Sequence, residues 1–139
     1  MNAGAAFDAD ALVAAAREAR ERAYVPYSRF QVGAALAAEG EVFAAPNIEN
    51  ASYPLSVCAE RNAVAVAVAA GHRRLDAVAV VGSGERGITP PCGGCRQVLF
   101  EFGGPELVVI VESLAGDVRE TYRLDDLLPA AFGPRDLLP

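Results

Sequence analysis

Lysine and tryptophan are absent from this chain of 139 residues, histidine occurs once, and all twelve basic residues are arginine. The formal net charge is −6, and only Arg73 and Arg74 form an adjacent basic pair, which we interpret as a solvated helix end. Binding to a nucleic-acid backbone requires clustered positive charge. The sequence therefore argues against a nucleic-acid partner.

Long apolar runs are also absent, although the apolar fraction is 53%. No run approaches the roughly 20 residues that a membrane-spanning helix needs. Residues 1–10 lack the positive charge of a secretory signal. We therefore expect a cytoplasmic protein with no membrane partner, and the length predicts a single domain over residues 1–139.

Cysteine is scarce, with only Cys58, Cys92 and Cys95. Three cysteines do not complete a disulfide framework, and a cytoplasmic location keeps thiols reduced. The Cys-x-x-Cys spacing of the last two suits either a redox pair or half of a metal site. A redox pair would leave Cys58 as an idle thiol in the core, where free cysteine is common.

Apolar periodicity and turn signals predict elements in the order α-β-β-α-β-α-β-β-α. A helix is expected over residues 8–24, followed by a hairpin that turns at residues 39–40. Residues 58–72 are ambiguous, because alternating valines suit a strand whereas the alanines and Gly71 suit a buried helix, which we favour. Residues 75–83 predict a strand buried on both faces. The later elements are a helix, two strands and a helical turn, over residues 95–103, 106–113, 117–124 and 124–132.

This order predicts an α/β fold. Strands that alternate with helices form layered structures. We expect a three-layer α/β/α sandwich around a mixed sheet of about five strands.

The number of available ligands separates two kinds of zinc site. A closed structural site needs four protein ligands, which would have to include His72. Cys58 and His72 stand at opposite ends of the predicted second helix, about 21 Å apart, whereas two ligands of one zinc lie within about 4 Å of each other. We therefore interpret His72 as an exposed residue at a helix end. Three thiolates with an open fourth position are the pattern of a catalytic zinc, one ion per chain.

Glu60, two residues after Cys58, could face the same target as the cysteines. Residues at i and i+2 share a target only when it lies beyond the end of a helix, and Cys58 stands at a predicted helix start. Cys92 and Cys95 lie at i, i+3 in another first turn. Two positive helix ends would then face the metal and favour the thiolates.

Three thiolates around one Zn²⁺ leave a formal charge of −1, which opposes ionisation of a bound water. A neighbouring cation would offset that charge through hydrogen bonds to the sulfurs. Arg61 is the first candidate for this role, and Arg96 is the second.

Cys-Ala-Glu at residues 58–60, followed by Pro-Cys-x-x-Cys at residues 91–95, resembles the zinc deaminase signature. In that class an activated water attacks an amidine-type carbon, and a glutamate that is not a ligand shuttles protons. Further segments resemble the small homotetrameric cytidine deaminases over most of residues 24–137. They are, in chain order, PYSRFQVGAAL, NIENASY, CAERNAV, PCGGCRQV and LLPAAF.

The resemblance implies roles for the polar residues. Cys58, Cys92 and Cys95 are the implied zinc ligands, and Glu60 is the implied proton shuttle. Asn47 and Glu49 are the residues that the family uses to hold the ribose hydroxyls. They alternate about Ile48, so both side chains would face one way on an extended segment.

The resemblance also implies roles for the residues around the base. Phe30 would line the pyrimidine pocket, and the backbone of Ala59 would contact the base. Tyr53 and Phe132 would reach into the site of a neighbouring subunit. Without the resemblance, Phe30 and Phe132 would be interpreted as core aromatics, and Asn47 as a turn residue.

The implied activity is the zinc-dependent hydrolytic deamination of free cytidine and deoxycytidine to uridine and deoxyuridine, with release of ammonia. This is a step of pyrimidine salvage, and the implied assembly is a homotetramer with shared active sites. A blasticidin-S-type deaminase is the nearest alternative, although NIENASY and the phenylalanine of LLPAAF favour cytidine deaminase. A zinc-stabilised binding module is the alternative from another class, but it gives no reason for an open metal position beside Glu60. Pro90 and Gly94 depart from the usual family sequence and bear on loop shape.

Overall fold

The computed structural model describes residues 7–84 and 87–139 of the chain. In this part of the chain, four α-helices and five β-strands follow the predicted order. The helices are α1 (Ala9–Arg20), α2 (Ala59–Ala69), α3 (Gly93–Gly103) and α4 (Leu124–Leu127). The strands are β1 (Gly33–Ala38), β2 (Glu41–Pro46), β3 (Ala77–Val81), β4 (Val108–Glu112) and β5 (Arg119–Arg123).

The five strands form one mixed sheet in the order β2-β1-β3-β4-β5. Only β3 and β4 are parallel, and the other neighbours are antiparallel. The hairpin between β1 and β2 turns where the sequence predicts, with φ of 52° at Glu39 and 88° at Gly40. Two successive positive φ angles are typical of the type I′ turn that matches the twist of a hairpin.

Helices cover both faces of the sheet, which confirms the three-layer α/β/α sandwich. On one face, α1 packs against small residues of β1 and β3. On the other face, the second core contains residues of α2 and α3 and the alternate residues of the same strands. All five residues of β3 are buried, as expected for a strand covered on both sides. No helix among the described residues is long and apolar enough to span a membrane.

The first helix is shorter than the sequence predicts. It ends at Arg20, because the backbone of Tyr24 pairs instead with the chain after β2, donating to the carbonyl of Asn47 at 3.1 Å. Leu12, Val13, Ala16, Ala19 and Arg20 are buried on this helix.

The second helix confirms the interpretation of the valine-rich segment. α2 begins directly after Cys58, and its chain turns away at Gly71 with φ of 101°. This positive φ suits glycine, which has no Cβ to oppose it.

Several elements begin or end at one edge of the sheet. Gly33 at the start of β1 pairs with Pro46 at the end of β2 and with Val81 at the end of β3. The loops that follow β2 and β3 therefore leave from the same edge, and they lead into α2 and α3. Ligand sites in α/β sheets form at such edges, beyond the carboxyl ends of strands.

Candidate metal centre and active site

The sulfur atoms of the three cysteines meet at this edge. Cys58 and Cys92 directly precede α2 and α3, and Cys95 lies buried in the first turn of α3. The sulfur of Cys92 lies 3.9 Å from that of Cys58 and 3.4 Å from that of Cys95, and all three lie within 4.8 Å of one another. Thiolates bound tetrahedrally at about 2.3 Å from zinc are about 3.8 Å apart. The donor set and its spacing therefore fit one zinc ion.

The thiols of this cluster differ in acidity. The pKa of Cys58 is lowered to about 6, first by a hydrogen bond from Cys95 and further by Cys92 and the positive charge of Arg61. The pKa of Cys95 is raised, because its thiol hydrogen-bonds to Cys58 and is buried near the carboxyl group of Glu60. A thiolate is the form that binds metals, so Cys58 is prepared for ligation.

Glu60 lies in the first turn of α2 and is only 4% exposed. Burial raises its pKa to about 7, and the negative charge of Cys58 acts in the same direction. A carboxyl group whose pKa lies close to neutrality can both accept and donate a proton. Glu60 therefore has the environment of an acid–base group rather than that of a surface carboxylate.

One cavity of about 210 Å³ connects these groups. Five residues predicted for the site contribute to its lining together with Glu60. The complete lining is Phe30, Val32, Asn47, Cys58, Ala59, Glu60, Thr89, Pro90 and Cys92. Val32, Thr89 and Pro90 were not predicted as site residues. Thr89 and Pro90 could have been predicted from their position in the short segment that leads into Cys92.

Asn47 and Glu49 make different contacts. The side chain of Asn47 accepts a hydrogen bond from the backbone of Val32 and donates one to the carbonyl of Phe30, both at 2.9 Å. Glu49 does not line the cavity. Its carboxylate accepts hydrogen bonds from the backbone of residues 27–28 at 3.1 Å. The Ser28 hydroxyl also donates to it and is the main cause of its lowered pKa.

The two aromatic residues expected to act on a neighbouring subunit lie outside the cavity. Tyr53 is 65% exposed and Phe132 is 59% exposed, so the latter is not a core aromatic. The ring of Tyr53 meets that of Tyr27 edge-on, with centroids 6.2 Å apart. The backbone of Phe132 is held by Gln97, which donates to its carbonyl at 2.7 Å. The expected reach of both rings into a neighbour stays a prediction.

The arginines near the cysteines do not bond to sulfur in this structure. Arg61 is exposed and acts on Cys58 through its charge. Arg96 instead donates to the carbonyls of Pro91 at 2.7 Å and Leu127 at 2.8 Å, so it joins the start of α3 to the end of α4.

The single histidine, His72, is less exposed than the sequence predicts. The side chain of His72 is only 14% exposed, because it lies between Glu39 at 3.0 Å and Glu41 at 2.9 Å. Its ring also contacts that of Phe43. His72 follows the end of α2, whereas the cysteines stand at the beginning of that helix, so its exclusion from the metal site agrees with the geometry.

Comparison with known proteins gives a consistent result. Residues 8–111 match the family described as the cytidine and deoxycytidylate deaminase zinc-binding region. The chain is 48% identical over 131 residues to the cytidine deaminase of Sporosarcina psychrophila, covering 94% of this chain and 95% of that protein. It is 49% identical over 123 residues to the cytidine deaminase of Mycobacterium tuberculosis, covering 88% and 87%. The crystal structure of the cytidine deaminase from Burkholderia pseudomallei matches with a TM-score of 0.85 at 50% identity, covering 91% of this chain and all of that one.

Proposed function

This chain belongs to the cytidine and deoxycytidylate deaminase family, and from that premise we propose that it hydrolyses cytidine and deoxycytidine to uridine and deoxyuridine, releasing ammonia. One observation carries the proposal. Three cysteine sulfurs spaced for one zinc lie beside a buried glutamate at a cavity large enough to admit part of a nucleoside. The likeness to named cytidine deaminases over most of the chain disfavours the blasticidin-S-type alternative.

The metal-binding residues are Cys58, Cys92 and Cys95, which would hold one zinc and leave its fourth position open. When bound, zinc supplies a Lewis acid and an activated water nucleophile. Two of the three sulfurs stand at helix N-termini, whose positive ends stabilise thiolates. Arg61 adds a positive charge near Cys58 and so offsets part of the negative charge of the site.

Glu60 is the proton carrier of the proposed reaction. The oxygen of a water adds to C4 of cytosine, and Glu60 takes one proton of that water and passes it to N3. The bond between C4 and the amino nitrogen then breaks while Glu60 carries the second proton of the water to the departing amino group, so that cytidine plus water becomes uridine plus ammonia. The pKa of about 7 supports this double role.

The remaining site residues are assigned to nucleoside binding. Phe30 and the backbone of Ala59 border the cavity on which Glu60 opens, which supports their contact with the base. Asn47 lines the same cavity and is held in place by the backbone near Phe30, which supports a ribose contact. Glu49 lies on the adjoining segment, and we assign it to the other ribose hydroxyl.

We assign Tyr53 and Phe132 to the site of a neighbouring subunit in a homotetramer. Their exposure supports this assignment, because only a ring at the surface of its own chain can reach the site of a neighbour. We also propose that residues 1–139 act as one catalytic domain in the cytoplasm, with a free nucleoside as the substrate.

A nucleoside panel tests the function directly. Purified protein is first assayed for zinc per chain, and the loss of ultraviolet absorbance is then followed with cytidine, deoxycytidine and blasticidin S. We expect one zinc per chain and turnover of the first two compounds. Turnover of blasticidin S alone would favour that alternative. Tight zinc binding without turnover of any compound would favour a binding module.

A further inference from the structure

Three polar residues form a closed ring of hydrogen bonds. The guanidinium of Arg20 donates to the hydroxyl of Ser83 at 2.6 Å, and this hydroxyl donates to the carbonyl of Gln31 at 3.3 Å. The side-chain amide of Gln31 donates in turn to the carbonyl of Arg20 at 3.4 Å. The Arg20–Ser83–Gln31 ring therefore ties the end of α1 to the segment before β1 and to the loop after β3. None of the three lines the cavity.

The guanidinium in this ring is unusually buried. Arg20 is 8% exposed, and its Nε is buried without a hydrogen-bond partner among the described residues. The remaining nitrogen pairs with Glu21 at 3.0 Å. Burying a charged group with incomplete partners is unfavourable. A position in the last turn of α1 favours a cation, but it does not require the cation to be buried.

A glycine allows the close approach that brings Arg20 to this position. A Cβ on Gly33 would lie 1.9 Å from the carbonyl oxygen of Ala16 and 2.5 Å from the nitrogen of Arg20. Gly33 also pairs with Val81, two residues before Ser83. The end of α1 is thus pressed onto the sheet at the edge where the loop after β3 begins.

The ring is connected to one wall of the cavity through Gln31, which lies between Phe30 and Val32, both lining residues. It is connected to a second wall, which contains Thr89, through the loop that contains Ser83. The backbone nitrogen of Gly84 donates to the hydroxyl of Thr89 at 3.2 Å, and Thr89 lines the cavity.

Glycine also keeps this second wall in place. A Cβ on Gly82 would lie 2.4 Å from the hydroxyl of Thr89, so Thr89 packs directly onto the glycine backbone next to Ser83. A shift of Ser83 would therefore be transmitted to Thr89.

We propose that Arg20 and Ser83 are positioning residues that set the distance between the wall formed by Phe30 and Val32 and the wall formed by Thr89 and Pro90. That distance decides how closely a flat pyrimidine ring fits, so the ring tunes substrate affinity without touching the substrate. This inference rests on the proposed function, because it takes the cavity to be the base-binding pocket.

The decisive variant is Ser83→Ala, which removes the bridging hydroxyl and changes little else. We expect KM for cytidine to rise about fivefold, as for the loss of one or two hydrogen bonds, with kcat changed by less than about twofold. Inhibition by the product uridine should weaken by a similar factor. Arg20→Met should act in the same direction, and the double variant should be no worse than the more damaging single variant, since both break one ring.

Arg17→Met is the matched control. It lies on the same helix and breaks an ion pair of 2.6 Å with Glu112, on a part of the molecule that does not line the cavity. We expect it to lower the melting temperature and to leave KM unchanged. All variants are compared as zinc-loaded, folded proteins.

Three results overturn the inference in an active wild-type background: an unchanged KM in Ser83→Ala, a fall in kcat alone, or an equal rise of KM in Arg17→Met. The last result would show that a general loss of stability is enough to raise KM. Failure of the wild type to turn over any cytidine nucleoside is a different outcome. It overturns the proposed function, and the positioning role with it.

Discussion

The two ends of α2 carry two ionisable clusters that are built on opposite principles. At the first end, Glu60 and the cysteines combine burial with negative neighbours, which raises the pKa of the carboxyl group. At the far end, His72 lies between two glutamates. Its hydrogen bonds to Glu39 and Glu41, together with their negative charges, raise its pKa by stabilising the cation. A helix C-terminus also favours a cation. Burial without a countercharge thus gives Glu60 a pKa suited to proton transfer. The two countercharges beside His72 instead stabilise its cation and hold it in place, and we call this end of α2 the anchoring end.

The residues proposed for catalysis and the residues that stabilise the fold therefore lie at opposite ends of the same helix. His72 joins the end of α2 to the hairpin formed by β1 and β2, since Glu39 lies in its turn and Glu41 begins β2. The opposite end of α2 is reserved for reactive groups. Substitutions at the two ends should therefore differ in kind as well as in size.

The largest effect is expected from Cys92→Ser, at the start of α3, because Cys92 belongs to the cysteine cluster that lies at the first end of α2. The variant should lose zinc, and with it both turnover and part of the stability that metal binding adds to the folded state. Zinc per chain and the melting temperature are measured against zinc-loaded wild type. Chelator-treated wild type is the control and should show a comparable loss. Stoichiometric, tight zinc binding by the variant would exclude Cys92 as a ligand.

Glu60→Gln should leave zinc content and the melting temperature near the wild-type values while turnover falls. General acid–base groups contribute roughly 10²- to 10⁴-fold in rate, and the amide transfers no proton. Single-turnover measurements on the zinc-loaded variant give the loss. Glu101→Gln, on the exposed face of α3, is the control and should remain fully active. Wild-type turnover by Glu60→Gln would remove this residue from the mechanism.

Phe132→Ala tests whether the reactive end is completed by another chain. Stacking of an aromatic ring on a base contributes roughly 1–3 kcal/mol, so KM should rise while zinc content stays the same. Leu137→Ala, at an even more exposed position near the same end of the chain, should have no effect and serves as the control.

Subunit mixing then separates a role in a neighbouring site from a role within the same chain. Phe132→Ala chains are combined with Glu60→Gln chains, each of which retains the group that the other lacks. Hybrid oligomers should recover part of the affinity. If hybrids form and affinity does not recover, Phe132 acts within its own chain.

The smallest effect is expected at the anchoring end. Because the folded-state pKa of His72 lies above its ordinary value, its stabilising contribution is complete below about pH 6.5 and disappears as the pH rises through the folded-state pKa. The melting temperatures of wild type and His72→Gln should therefore differ most near pH 5.5 and converge at alkaline pH. Turnover should be the same in both. If the difference in melting temperature grew with pH, the proposed stabilising role of the His72 cation would be wrong.

Each half of the reactive end was predictable because its groups belong to a local pattern. That the two halves meet, although Cys58 and Cys92 are 34 positions apart, was predicted from the resemblance to the zinc deaminases. Cys58 with Glu60, and Cys92 with Cys95, each lie within a single helix start, and helix geometry alone brings each pair toward a common point. The order of strands and helices was likewise predictable, because periodicity and turn residues act over short stretches of chain.

The anchoring end was not predictable from the sequence, since its contacts join distant residues. His72 and Glu39 are 33 positions apart, and His72 and Glu41 are 31 apart. No spacing rule connects such partners before the fold is known. A contact between distant residues also explains why α1 ends earlier than predicted, because Tyr24 pairs with the chain after β2.

The position of two cysteines at helix N-caps has an evolutionary consequence. That position usually holds a serine, threonine or aspartate whose side chain closes the first turn, and neither Cys58 nor Cys92 makes such a hydrogen bond. In a lineage that no longer needed the metal, replacing Cys58 with serine would close the helix and increase stability by about 1 kcal/mol. Selection for catalysis therefore opposes a stabilising change that a single base substitution can make, and loss of the activity should be difficult to reverse.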